Sequence, residues 1–211
     1  KAGGFNIVAD VPPDRATFDA EFLSYVEAGI KGTAADGRVH GGLAVFYMRR
    51  DDQQVATSTQ LDPGDPLSFV FFTDNAARGE NYGLEASASW RATPRLELSA
   101  AAGLLRTRYL GYRFADRDLD GREQAHAPGY QLSLGAQYRH PLGFFGRVDA
   151  QAVDGFYFDA SHDERAHAFQ LVHAKAGYET DRWAVYAWAR NLFDEDYAMR
   201  GFFFGNEPPD F

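Results

Sequence analysis

Small or apolar residues alternate with polar ones through most of the chain, the period-two pattern of a β-strand with unlike faces. Tyr82, Leu84, Ala86, Ala88 and Trp90 share one face, and Gly83, Glu85, Ser87 and Ser89 the other. Leu96, Leu98, Ala100, Ala102 and Leu104 stand against Glu97, Ser99 and Gly103 in the same way. Tyr130, Leu132, Leu134, Ala136 and Tyr138 oppose Gln131, Ser133, Gly135 and Gln137, and Val148, Ala150 and Ala152 oppose Arg147, Asp149 and Gln151. Val26, Ala28 and Ile30 oppose Glu27, Gly29 and Lys31, while Val172, Ala174, Ala176 and Tyr178 oppose His173, Lys175 and Glu179. From Trp183 onward the pattern does not separate the faces, because Val185, Ala187 and Ala189 oppose Tyr186, Trp188 and Arg190. The alternation predicts about nine strands in an all-β, antiparallel, up-and-down order. They fall at residues 3–9, 22–33, 38–55, 69–91, 95–113, 129–139, 144–158, 167–179 and 183–197.

The links between strands are of two kinds. Residues 34–38, 92–95, 140–143 and 180–182 are tight turns, and they alternate with long polar loops at 10–22, 51–67 and 115–128. Short turns on one rim and long loops on the other are the construction of a transmembrane β-barrel. Trp90, Tyr138, Tyr178 and Trp183 stand at strand ends on the apolar face, where an interfacial aromatic belt belongs. Segments 39–56 and 96–114 exceed the roughly 5–6 residues usual in globular strands. They are long enough for the roughly 9–11 residues that cross a bilayer at a tilt. A soluble β-sandwich would show the same alternation with its apolar face as core, and it is the alternative fold. An odd number of strands leaves outer edges that lipid cannot satisfy, so the rest of a barrel is expected from other residues. Lys1 in place of a starting Met, and the loop chemistry of Pro208-Pro209-Asp210-Phe211, point the same way: a portion of a longer protein.

Composition changes this picture little. The chain is 45% hydrophobic and 24% charged, with mean hydropathy −0.41. No run of about 18 apolar residues occurs, which excludes a transmembrane helix and leaves a barrel open. Cysteine is absent, and aromatics reach 15%. A net charge of −9 argues against a nucleic-acid partner, which would require a basic face.

Three segments then carry a family resemblance. Lys1-Ala2-Gly3-Gly4-Phe5-Asn6 resembles the Lys-x-Gly-Gly-Phe-Asn stretch of TonB-dependent outer-membrane receptors. Tyr25-Val26-Glu27-Ala28-Gly29-Ile30-Lys31 followed by Phe46-Tyr47 is similar to their "Tyr-Glu-x-Gly-x-Lys … Phe-Tyr" strand pair, with Val26 inserted. Asn191-Leu192-Phe193-Asp194-Glu195-Asp196-Tyr197 resembles their late-strand sequence, and Ala127-Pro128 fits the residues before a descending strand. The resemblance implies the C-terminal portion of a barrel of about 22 strands whose lumen holds a plug. It implies one partial barrel domain over residues 1–211, with the plug and the closing strand outside the chain. It also implies active transport, not catalysis: a large scarce ligand, with a ferric siderophore as the expected one, binds at outer loops and is imported with energy from TonB. The partners expected are that ligand, TonB through the plug, and the lipid of a Gram-negative outer membrane. A passive outer-membrane pore and a soluble β-sandwich binding module are the competing functions. An outer-membrane hydrolase would need a nucleophile–base constellation that the spacing does not provide.

The ligand-facing residues expected are Arg106, Arg108 and Arg113 high on one strand, with Arg200, Phe202, Phe203 and Phe204 in a late loop. Guanidinium groups suit an anionic ligand, and aromatic faces suit planar chelators. Phe156-Tyr157-Phe158 is expected in the upper aromatic girdle. Asp116-Arg117-Asp118-Leu119-Asp120-Gly121 begins like a calcium loop. The bidentate Glu due six residues after Gly121 is replaced by Ala127, so an acidic loop tip without metal is expected. No cofactor is implied. His162 and His167 lie in or beside one outer loop with Asp159 and Asp163, His173 is expected to face the lumen, and Asn191 and Asp194 are expected to hold a bend in the backbone.

Overall fold

The computed structural model of the chain describes residues 1–65, 68–114 and 116–201. Its strands are β1 (Gly4–Phe5), β2 (Thr17–Phe18), β3 (Phe22–Ala34), β4 (Val39–Gln60), β5 (Phe69–Arg91), β6 (Leu96–Leu110), β7 (Arg113–Phe114), β8 (Arg117–Asp118), β9 (Tyr130–Arg139), β10 (Phe144–Val153), β11 (Phe156–Tyr157), β12 (Arg165–Ala166), β13 (Phe169–Glu179) and β14 (Ala184–Ala189). One antiparallel sheet takes eight of them in the order β3-β4-β5-β6-β9-β10-β13-β14. The pairs β1-β2, β7-β8 and β11-β12 are small separate hairpins. The large sheet is therefore a meander with β3 and β14 at its edges.

Register makes the two faces continuous. Leu84 stands opposite Val45 and Leu104, and Leu134 opposite Ala100 and Ala150. On the other face Glu85 meets Ala44 and Gly103, and Gln137 meets Glu97 and Arg147. The apolar face is uncovered: Leu134 is 61% exposed and Val148 49%. Among the described residues no second sheet packs over these side chains, which is not the arrangement of a sandwich. A surface of this kind requires an apolar solvent or a partner. Tyr82 lies eight positions before Trp90, roughly 26 Å of strand at about 3.3 Å per residue. A tilt of about 40° leaves roughly 20 Å of height, close to the apolar band of about 25 Å on outer-membrane barrels. Register also settles the ambiguous strand. Tyr186 opposes Gly177 and Trp188 opposes Lys175, which puts both aromatics on the polar face. There Lys175 Nζ sits 3.7 Å from the Tyr186 ring centre, and the Arg190 guanidinium 5.3 Å from that of Trp188. Each of these exposed rings therefore has a cation beside it on the polar face.

The tight rim is built from residues suited to reversal. Ala35, Asp36 and Gly37 take φ of 53°, 55° and 81° in the β3–β4 turn. Gly143 has φ 93°, and a Cβ there would approach Tyr178 Cε2 to 3.1 Å, so only glycine fits. Thr93 Oγ1 accepts the Arg95 and Leu96 amides, and Thr180 Oγ1 accepts those of Arg182 and Trp183.

Several segments differ from the pattern's expectation. Residues 3–9 contribute only β1, paired with β2, because the Asn6 side chain holds both backbone groups of Thr73 at 2.8 and 2.9 Å. The large sheet thus has eight strands, one fewer than the pattern counts. Residues 51–60, expected in a long loop, are strand: β4 runs on to Gln60, which pairs with Phe69 of β5. At Asp52 (φ 52°) the buried side switches, so that Val55 and Thr57 are buried where Arg49 and Asp51 are not. β6 stops at Leu110 before Gly111 (φ 69°), and β10 stops at Val153. β14 ends at Ala189, well before residue 197. Asn191 (φ 47°) reverses the chain there by accepting the Glu195 amide at 3.0 Å and donating to its carbonyl at 2.9 Å.

Candidate functional site

Beyond the sheet's outer end, three excursions converge: the β4–β5 tip, the β6–β9 connection (residues 111–129) and the β10–β13 connection (residues 154–168). Their shared core is Val55, Ala76, Tyr109, Tyr112, Leu119 and Ala160, with Phe114 packed against it. Tyr112 is 2% exposed, and burial pushes its phenol well above the usual range. Polar ties then join the loops. Thr57 Oγ1 and Ser161 Oγ lie 2.9 Å apart. Asp163 takes Arg117 at 2.6 Å and Arg122 at 2.5 Å, and the Arg122 and Arg165 guanidiniums lie over Tyr157, 3.9 and 4.3 Å from its ring centre. Asp159 binds its own loop, accepting the Ser161 amide at 2.6 Å, its hydroxyl at 2.7 Å and the His162 ring at 3.1 Å. Burial alone would raise the Asp159 carboxyl, but these donors outweigh it and hold the group at about 2.

Beside this cap lies a cleft of about 660 Å³. Phe72, Tyr109 and Phe158 give it aromatic walls, Arg50 and Arg200 bring cations, and Gln53, Gln124 and His126 bring polar groups. Arg50 Nε and Gln53 Oε1 are buried there without a hydrogen-bond partner among the described residues. Arg50 has a carboxylate only at 3.6 Å, on Glu21. Gly79 leaves room for this arrangement: a Cβ on it would come within 2.7 Å of Gln124 Nε2. Unsatisfied buried polar atoms beside aromatic walls are the makings of a binding site for a polar, aromatic ligand.

The sheet, its register and this rim of joined loops have a counterpart among known proteins. Residues 4–192 match the family described as TonB dependent receptor-like, beta-barrel. The chain belongs to this family of TonB-dependent receptor barrels. Its sheet is accordingly part of a transmembrane barrel wall. The pesticin receptors of Yersinia pestis and Yersinia enterocolitica are each 24% identical over 211 residues, covering 98% of this chain and 29% of theirs. The ferric yersiniabactin uptake receptor FyuA from Yersinia pestis superposes with a TM-score of 0.77 at 22% identity, over 98% of this chain and 30% of its own. The siderophore receptor PiuA from Acinetobacter baumannii gives 0.69 at 18% identity, over 89% and 26%. The chain thus spans about 29% of the length of the curated relatives it matches.

Within this TonB-dependent barrel segment, the ligand residues expected from sequence part company. Arg200 lines the cleft. Arg106 and Arg108 do not: register sets them opposite Tyr82 and Glu80, on the apolar face that looks away from the lumen. Arg108 is also bound to Glu80 at 2.7 Å. Arg113 stands at the exposed loop tip, 3.5 Å from Asp118. Phe202, Phe203 and Phe204 lie outside the described residues. Phe156 is not in a girdle; it is 5% exposed and packs on His126 and Phe158 within the loops. The carboxylates of the acidic loop serve its own backbone, Asp120 accepting the Gly111 amide at 2.7 Å and Asp118 that of Asp120. Among the described residues no three His, Cys, Asp or Glu side chains gather to hold a metal. His173 faces the lumen opposite Asp149 and accepts the Asn191 amide at 3.0 Å. Sequence reasoning missed Arg50, Gln53 and Gln124. Arg50 shares its face of β4 with Ala44, Phe46 and Met48, which do not mark that face as polar, and the glutamines sit in stretches polar on both faces.

Proposed function

We propose that this chain supplies part of the wall and of the ligand-binding rim of an outer-membrane receptor that imports a ferric siderophore with energy delivered through TonB. The cleft carries the reading: it sits beneath joined loops at the outer end of a barrel-wall sheet and combines Arg50 and Arg200 with Phe72, Tyr109 and Phe158. Iron chelates of this kind are anionic and often aromatic, so guanidinium groups and ring faces are the complementary chemistry. The relatives' names, which speak of ferric yersiniabactin and siderophores, favour the same cargo.

The test uses the full-length receptor in iron-starved cells, with labelled ferric yersiniabactin as first probe. Accumulation that collapses on adding a protonophore is expected, and accumulation indifferent to it indicates a passive pore instead. In equilibrium binding, the double variant Arg50→Gln with Arg200→Gln should weaken Kd by about tenfold, the loss of one or two charge-assisted bonds. An unchanged Kd would remove the cleft as the site.

A further inference from the structure

The apolar face changes character abruptly along β4, β5 and β6. Successive rungs read Val45–Leu84–Leu104, then Tyr47–Tyr82–Arg106, then Arg49–Glu80–Arg108, then Asp51–Arg78–Leu110. Adjacent rungs on one face are about 6.6 Å apart along the strand. Four guanidinium groups therefore stand in a band that starts beside the upper tyrosines, with Arg106, and continues outward of them, with Arg49, Arg108 and Arg78, at the height where hydrocarbon gives way to headgroups. Two are fixed. Arg108 holds Glu80 at 2.7 Å while the other Glu80 oxygen accepts the Tyr47 hydroxyl at 2.9 Å, and Arg49 holds Asp51 at 3.1 Å. Arg78 and Arg106 are exposed and make no ion pair with another described residue. The remaining carboxylate nearby is Asp154: a Cβ at Gly129 would meet its Oδ2 at 2.7 Å and Arg106 Nη1 at 3.6 Å. The band keeps a surplus of positive charge in a chain whose net charge is −9.

We infer that Arg78 and Arg106, framed by Arg49 and Arg108, bind phosphate groups on the headgroups of outer-leaflet lipids. The inference rests on the membrane-spanning reading of the sheet. These arginines point away from the lumen, where cargo passes, and toward the interface. Guanidinium groups bind phosphate oxygens in bidentate fashion, and basic residues at an interface draw anionic lipid. The fixed Glu80 and Asp51 keep the neighbouring guanidiniums in place without consuming all of the positive charge.

The full-length receptor is placed in nanodiscs of phosphatidylcholine, with and without phosphatidic acid as the phosphate-monoester probe, and its Tm is compared. Phosphatidic acid should raise Tm, and the double variant Arg78→Gln with Arg106→Gln should abolish that rise. The same variant should retain roughly tenfold less phosphorylated lipid after purification from outer membranes. Arg113→Gln, a loop-tip control, should retain the wild-type amount. Equal retention by the double variant overturns the inference. An equal Tm rise with inorganic phosphate overturns it too, in favour of a site for soluble anions. Resistance of the wild-type receptor to alkaline extraction from membranes reports the spanning reading separately, so the two failures are distinguishable.

Discussion

At the scale of single residues, Asp159 shows how a loop can be stabilised by charge without an ion pair of full strength. Its carboxyl is held at about 2, against 3.8 for the free group, because Ser161 and His162 donate to the charged form. A depressed carboxyl contributes stability that is complete above the unfolded value and lost as pH falls toward the folded one. The window is therefore pH 4 down to 2, and the contribution is about 2 kcal/mol. Amide protection factors at Ser161 and His162 should drop across that window in the wild-type protein. In Asp159→Asn they should be low already at pH 7 and should change little on acidification; persistent pH dependence in the variant would assign the effect elsewhere. Arg106 and Arg108 teach a different lesson. They share even numbering with Leu104 in an unbroken strand, so the sequence already gave their face, and their chemistry drew attention away from it.

Among elements, the cap is held by ties between connections far apart in the chain. Asp163 is the hinge of these ties, since Arg117 and Arg122 both converge on it from the β6–β9 connection. Arg122 is largely buried (9% exposed), so Asp163→Ala leaves a desolvated charge with one fewer partner, whereas an exposed pair alone is worth at most about 1 kcal/mol. Trypsin should cut after Arg117 and Arg122 several-fold faster in Asp163→Ala, while the barrel keeps its resistance to SDS at room temperature. Unchanged cleavage would mean that the apolar core around Tyr109 and Tyr112 suffices. Most strands below this cap were legible because they have unlike faces and are bounded by turn residues such as Asp36-Gly37; β14 was not, and its faces follow only from register with β13. The upper half of β4 was not, because Gln-Gln-Val-Ala-Thr-Ser-Thr-Gln offers no alternation and the strand switches its buried side at Asp52. Partners set that segment, and a pattern confined to one strand does not contain its partners. The cleft was half legible for the same reason: Arg200 was found by chemistry, Gln53 and Gln124 only by the fold.

For the whole molecule, everything turns on which solvent each face meets. Leu134 and Ser133 are consecutive residues of β9, with opposite faces and the same pair of neighbouring strands. A barrel in lipid makes them unequal in a definite sense. Leu134→Arg puts a guanidinium against hydrocarbon near mid-membrane and should cost about 2–4 kcal/mol. Ser133→Arg points into a polar interior beside Gln151 and should cost far less. In a soluble sandwich the Leu134 substitution would also be costly, but the apolar face would then be packed, and here Leu134 is 61% exposed. Urea titration of the full-length receptor refolded into phosphatidylcholine vesicles gives both values in one experiment. Adding detergent micelles in place of vesicles should shrink the Leu134→Arg penalty, because a micelle lets the guanidinium reach water, and should leave Ser133→Arg unchanged. If Ser133→Arg were the more damaging substitution, the faces would be reversed and the lumen would be the dry side. Arg78 and Arg106 would then face the channel, and both the transport reading and the lipid site would have to be exchanged for each other.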